Sequence, residues 1–78
     1  MSYWSGGIRK GWRVKIDPNV LKRPMMSRMG VPNSTPLKDA RGEVLDGPYP
    51  LGNAEYVDVM WEGATIKASL PLSLLAQA

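Results

Sequence analysis

Tyr56-Val57-Asp58-Val59-Met60-Trp61 alternates with a period of two, placing Val57, Val59 and Trp61 on one face and Tyr56, Asp58 and Met60 on the other. A helix has no use for that period, so this run commits the chain to a sheet with one buried face. After Glu62-Gly63 a second alternating run follows, with Ile66, Ala68 and Leu70 set against Thr65, Lys67 and Ser69. Two such runs joined through a glycine-containing turn predict a β-hairpin. Trp12-Arg13-Val14-Lys15-Ile16 predicts a further strand, with Trp12, Val14 and Ile16 inward and Asp17-Pro18 ending it. A weaker strand is expected over Arg41-Gly42-Glu43-Val44-Leu45-Asp46, closed by Gly47-Pro48. Pro71-Leu72-Ser73-Leu74-Leu75 predicts one helical turn, with proline suited to its start. The tail Ala76-Gln77-Ala78 is either loose or adds a last edge pairing.

Between the first two strands lies a connection over residues 17–40 that holds four of the seven prolines and no sustained period. Connections of that length inside a small domain are usually functional or disordered. A helical turn between Leu21 and Met29 is limited by Pro24. A second loop is expected over residues 47–54, where Tyr49 stands between two prolines. A chain of 78 residues supports one core, so the expected organisation is a flexible tail over residues 1–10 and a single domain over residues 11–78.

Several short strands with a long loop after the first describe an all-β domain, a small closed barrel of about five strands. Gly11-Trp12-Arg13-Val14-Lys15-Ile16 resembles the opening strand of SH3-like barrels, Gly42-Glu43-Val44 their second-strand step, and Val57-Asp58-Val59-Met60-Trp61 their third strand. Leu70-Pro71-Leu72-Ser73-Leu74-Leu75 resembles their terminal turn. The series recurs in the ferredoxin–thioredoxin reductase variable chain, the nitrile hydratase β subunit, KOW-type domains and type II dihydrofolate reductase. The resemblance implies the fold; function does not follow from it. The reductase lines its pore with a Val-Gln-Ile-Tyr run before the terminal turn. This chain has Lys67-Ala68-Ser69-Leu70 there, so that activity does not carry over.

The chain contains neither cysteine nor histidine, which removes thiolate chemistry, the commonest general base and the commonest metal ligand. Its carboxylates fall at no catalytic or metal-binding spacing, and Ser5-Gly6-Gly7 matches no phosphate loop. No enzyme activity, metal or cofactor is therefore expected. No apolar run reaches the roughly 18 residues of a spanning helix, and none follows Arg9-Lys10, so a soluble cytoplasmic protein is expected.

Charge is distributed unevenly. Residues 1–42 hold nine bases against two acids, and residues 43–78 hold one base against five acids. Such a split orients a protein on an acidic partner, unless strand pairing intermixes the two halves on the folded surface. Within the long loop, Met25, Met26 and Met29 lie beside Lys22, Arg23 and Arg28. Methionines adapt to irregular surfaces, so this segment together with Tyr49 forms a candidate site for a larger protein partner. The plainer reading is that the methionines complete the core and Tyr49 packs its loop. Alternatively, Arg13, Lys15, Lys22, Arg23 and Arg28 track the phosphates of a nucleic acid while Tyr3 and Trp4 stack on its bases. Open barrel edges would also admit a homo-oligomer.

Overall fold

The computed structural model describes residues 8–23 and 27–78. The architecture is mostly β. Five strands form one antiparallel sheet: β1 (Arg13–Ile16), β2 (Gly42–Leu51), β3 (Ala54–Trp61), β4 (Ala68–Pro71) and β5 (Leu75–Gln77). Their order across the sheet is β4-β3-β2-β1-β5, and no ladder joins β4 to β5. One short helix, α1 (Pro18–Leu21), and two 3-10 turns, Leu37–Asp39 and Leu72–Leu74, complete the described elements. None of the described helices is long and apolar enough to cross a membrane.

β1 and β3 form where the alternation predicts them. Val14 and Ile16 from β1 meet Val57, Val59 and Trp61 from β3 in a single cluster, all essentially sealed from solvent. Ile8 is buried in the same cluster, so the packed part of the chain already includes a residue assigned to the tail by its sequence. The terminal residues take the second of their two expected roles: β5 pairs β1 through Val14↔Gln77, Lys15↔Ala76 and Ile16↔Leu75. The turn after Pro71 also forms, as a 3-10 turn with Pro71 in the capping position.

Two strand boundaries are corrected. First, β2 does not stop at Asp46 but runs through Gly47-Pro48 to Leu51. It bulges between Val44 and Asp46 and again between Asp46 and Tyr49 while staying paired with β3. Prolines survive here because β1 pairs β2 only at Gly42 and Glu43, leaving the outer edge of the later half without a strand partner. An edge position needs no ladder donor, so Pro48 and Pro50 cost no hydrogen bond there. The expected loop over 47–54 reduces to the two-residue turn Gly52-Asn53, with Gly52 at φ +65°.

Second, the strand after Glu62-Gly63 begins at Ala68 rather than Ala64. The Glu62 N–H continues the pairing by donating to the Arg41 carbonyl, and the Ala64 N–H then donates back to the Trp61 carbonyl, closing a tight turn as β3 ends. Pairing resumes only at Val59↔Ala68. Ile66, which shares the alternating pattern of Ala68 and Leu70, is 76% exposed, whereas Leu70 is buried.

The long connection is substantially folded. Its helical turn is α1, earlier than the expected stretch from Leu21 to Met29. Asp17 caps it by accepting the Asn19 N–H at 2.8 Å, and Pro18 occupies its first turn. Val20, Met29, Val31 and Ala40 then deliver four apolar side chains from this connection into the core.

Candidate docking site

The loop is fastened to the sheet at two points. Trp61, 1% exposed at the end of β3, donates its indole N–H to the Met29 carbonyl at 2.8 Å. Arg28 is half-buried and turns its guanidinium inward: Nη2 donates to the Pro32 carbonyl at 2.8 Å and to the Thr35 carbonyl, and Nε reaches the Val31 carbonyl at 3.4 Å. One cation thus gathers three carbonyls that would otherwise need water or a strand partner. Gly30 follows Met29 with φ +83°, and a Cβ there would lie 2.8 Å from the Ala68 Cβ, so only glycine lets the loop lie this close to β4. Replacing Arg28 with Gln is expected to lower stability by about 1–3 kcal/mol, the range for charge-assisted bonds to partly buried carbonyls. Urea unfolding measures it, and a change within error would show the three carbonyls to be satisfied without Arg28.

The site residues named from sequence separate into distinct environments. Met29 is buried in the core, so its side chain is not a contact surface as it stands. Arg28 is committed to the loop's own carbonyls. Lys22 and Arg23 are exposed at the end of α1. Arg13 is exposed and ion-paired with Glu62, and it stands opposite Glu43 across the β1–β2 pair. The two charge classes therefore do intermix at this corner. Lys15 is half-buried on β1. Met25, Met26, Tyr3 and Trp4 lie outside the described residues.

Tyr49 belongs to a network that the alternation conceals. Asp58 was expected on the solvent face of β3, yet it is only 6% exposed. Its Oδ1 accepts the Tyr49 hydroxyl at 2.7 Å and the Ser69 hydroxyl at 2.8 Å, while Oδ2 accepts from Lys67 Nζ at 2.9 Å. The bond from Lys67, then those from Tyr49 and Ser69, lower the Asp58 pKa to about 2. The same pairing holds Lys67 above its ordinary value, first through the hydrogen bond and then through the attraction of Asp58. A depressed carboxyl pKa makes Asp58's contribution complete above its unfolded value of 3.8 and lost as pH falls through about 2. The raised Lys67 contribution is present through neutrality and lost only as pH climbs past its folded value. Asp58→Asn is therefore expected to flatten the acid side of the stability profile between about pH 4 and about pH 2. Urea midpoints across that window test this; an unchanged slope would mean that Asp58 does not carry it.

An open groove of about 400 Å³ runs between the long loop and the β3–β4 turn, lined by Gly30, Pro32, Gly63, Ala64, Ile66 and Lys67. The sequence places Ile66 in a strand with Ala68 and Leu70, so nothing in it points to this groove. Sequence reasoning also left Lys38 and Arg41 out of any site. Lys38 is exposed on the 3-10 turn Leu37–Asp39, and Arg41 Nη1 donates to the carbonyls of Lys38 and Ala40 at 3.3 and 2.8 Å. Among the described residues no three metal-ligating side chains converge. No family model matches this sequence, and neither a curated protein nor a solved structure resembles it at significance.

Proposed function

We propose that the protein is a non-catalytic SH3-like barrel that docks onto a larger protein partner through the basic end of its long loop. The strand order β4-β3-β2-β1-β5, the long β1–β2 connection and the 3-10 turn between β4 and β5 support the barrel reading. The observation that carries the docking reading is the fastening of the loop by Trp61 and Arg28. The fastened part of the loop, from Arg28 to Thr35, loses little entropy on binding, and towards the loop's start Lys22 and Arg23 face solvent. In this reading Lys22 and Arg23 form charge-assisted bonds to partner carboxylates, and Met25 and Met26 supply apolar contact. Met29, Arg28 and Tyr49 serve by holding the framework.

A non-catalytic role agrees with the chemistry present. Asp58 is saturated with donors and stays ionised far below neutrality, so it is a poor proton acceptor at working pH. Nucleic acid is the weaker reading, because Arg13 is paired with Glu62 and Tyr49 is held by Asp58 rather than free to stack. Capture from a lysate of the source cells, with the intact chain and its Lys22→Gln/Arg23→Gln and Met25→Ser/Met26→Ser variants as baits, tests the proposal. A protein retained by the parent and lost by both variants is the expected result. A nuclease-sensitive capture, or one indifferent to both variants, would overturn it.

A further inference from the structure

We infer that the docking surface continues from the end of α1 onto the neighbouring 3-10 turn, and that it takes an acidic protein segment with several carboxylates close together. The inference rests on the docking reading above and names the partner's chemistry. α1 packs against the 3-10 turn Leu37–Asp39. α1 ends on Lys22, with Arg23 next, and the turn carries Lys38. Arg41 bends its guanidinium back onto this turn, using Nη1 on two carbonyls and leaving Nη2 and Nε for another acceptor. Four cations therefore stand on adjoining elements.

None of the four forms an ion pair among the described residues. The ion pairs Arg13–Glu62 and Lys67–Asp58 both involve other elements. Of the carboxylates near these bases, Asp17 is engaged in capping α1, Asp39 is exposed on the turn itself, Glu43 follows Arg41, on β2, and Glu62, whose N–H meets the Arg41 carbonyl, is paired with Arg13. Residues 42–66 contain no lysine or arginine but carry Glu43, Asp46, Glu55, Asp58 and Glu62. Arg13 and Lys67 pair with Glu62 and Asp58, so the acidic character of the β2–β3 hairpin rests on Glu43, Asp46 and Glu55. A long polyanion wrapping the molecule would meet that hairpin, whereas a short acidic segment can rest on the loop side alone.

Fluorescence anisotropy with a labelled oligoglutamate peptide, titrated with the intact protein across a salt series, tests this. A labelled single-stranded oligonucleotide of equal charge runs in parallel. The peptide is expected to bind, to weaken with salt, and to bind about tenfold more weakly to Lys22→Gln/Arg23→Gln. Lys38→Gln is expected to weaken it about threefold, and Lys38→Glu further. Lys38 is exposed and its side chain makes no hydrogen bond or ion pair, so both changes leave the fold intact by thermal melting. If Lys38 variants bind like the parent while Lys22→Gln/Arg23→Gln binds weakly, the extended surface is wrong and the docking reading stands. If no variant changes peptide binding, both fail. Tighter binding of the oligonucleotide than of the peptide would overturn the choice of an acidic protein segment.

Discussion

Replacing Trp61 with Phe is expected to cost about 2–4 kcal/mol, a large share of the roughly 4–12 kcal/mol available to a domain of this size. Two losses add. The Met29 carbonyl, buried against the indole, loses its donor and is left unsatisfied, at about 1–3 kcal/mol. The smaller ring also leaves unfilled space in a core where Trp61 is the largest sealed side chain, adding about 1 kcal/mol. Trp61→Ala removes the whole ring and, at about 3–5 kcal/mol, is expected to leave little cooperative folding. Urea denaturation of the Phe variant is the informative experiment. A change below about 0.5 kcal/mol would mean that the indole bond is not what joins the long loop to β3.

Gly42→Ala is expected to be comparably damaging, by about 2–4 kcal/mol, for a steric reason. Gly42 faces Trp61 on β3 and Val14 on β1, at the point where the three strands lie side by side. A Cβ added there would lie 2.8 Å from Val59 Cγ1, 2.9 Å from the Met60 carbonyl oxygen and 2.9 Å from Trp61 Cε3. A backbone carbonyl and two sealed core side chains cannot all give way. Gly42 does not have a positive φ, so the backbone itself would accept alanine. Elsewhere such a change stabilises by about 0.4–1 kcal/mol through the unfolded chain. The sign of the measured effect therefore separates crowding from chain entropy, and a stabilised variant would contradict the close approach of β2 and β3 at Trp61.

The legible parts of the fold are those where one face is buried and its partner face is wet. Val14 and Ile16, and again Val57, Val59 and Trp61, announce β1 and β3 because alternation and burial coincide there. Pro71 similarly announces the turn that follows it. Alternation fails where tertiary contacts cover the second face. Asp58 sits on the nominally outward side of β3, but Tyr49 from β2 and Ser69 from β4 close over it, and Lys67 completes the cover. Ile66 continues the Ala68 and Leu70 pattern in sequence while lying in the connection that opens with the Ala64 N–H bonded back to the Trp61 carbonyl. Pro48 and Pro50 read as breakers because sequence does not reveal that the outer edge of β2 is unpartnered at that point.

The candidate site was partly legible for the same reasons. Lys22 and Arg23 are exposed, as a solvated binding residue must be. Arg28 and Met29 have the right chemistry for a contact surface, and the structure spends both on the loop itself. Lys38 and Arg41 join the basic end only through the packing of α1 on the 3-10 turn, a neighbourhood that fifteen or more intervening residues hide from any reading along the chain.

The proposed docking depends on the long loop being a fixed platform rather than a fluctuating connection, and native-state hydrogen exchange tests that most directly. The Val31 N–H donates to the Arg28 carbonyl at 2.9 Å, the Thr35 N–H to Pro32 at 3.0 Å and the Ala40 N–H to Leu37 at 3.2 Å. These amides are expected to be protected, with opening free energies approaching that of Val44, whose N–H binds the Trp12 carbonyl within the sheet. Arg28→Gln is expected to lower protection at Val31 and Thr35 while leaving Val44 protected. Exchange of Val31, Thr35 and Ala40 at unprotected rates in the parent chain, beside a protected Val44, would contradict the platform and remove the observation on which the docking proposal stands.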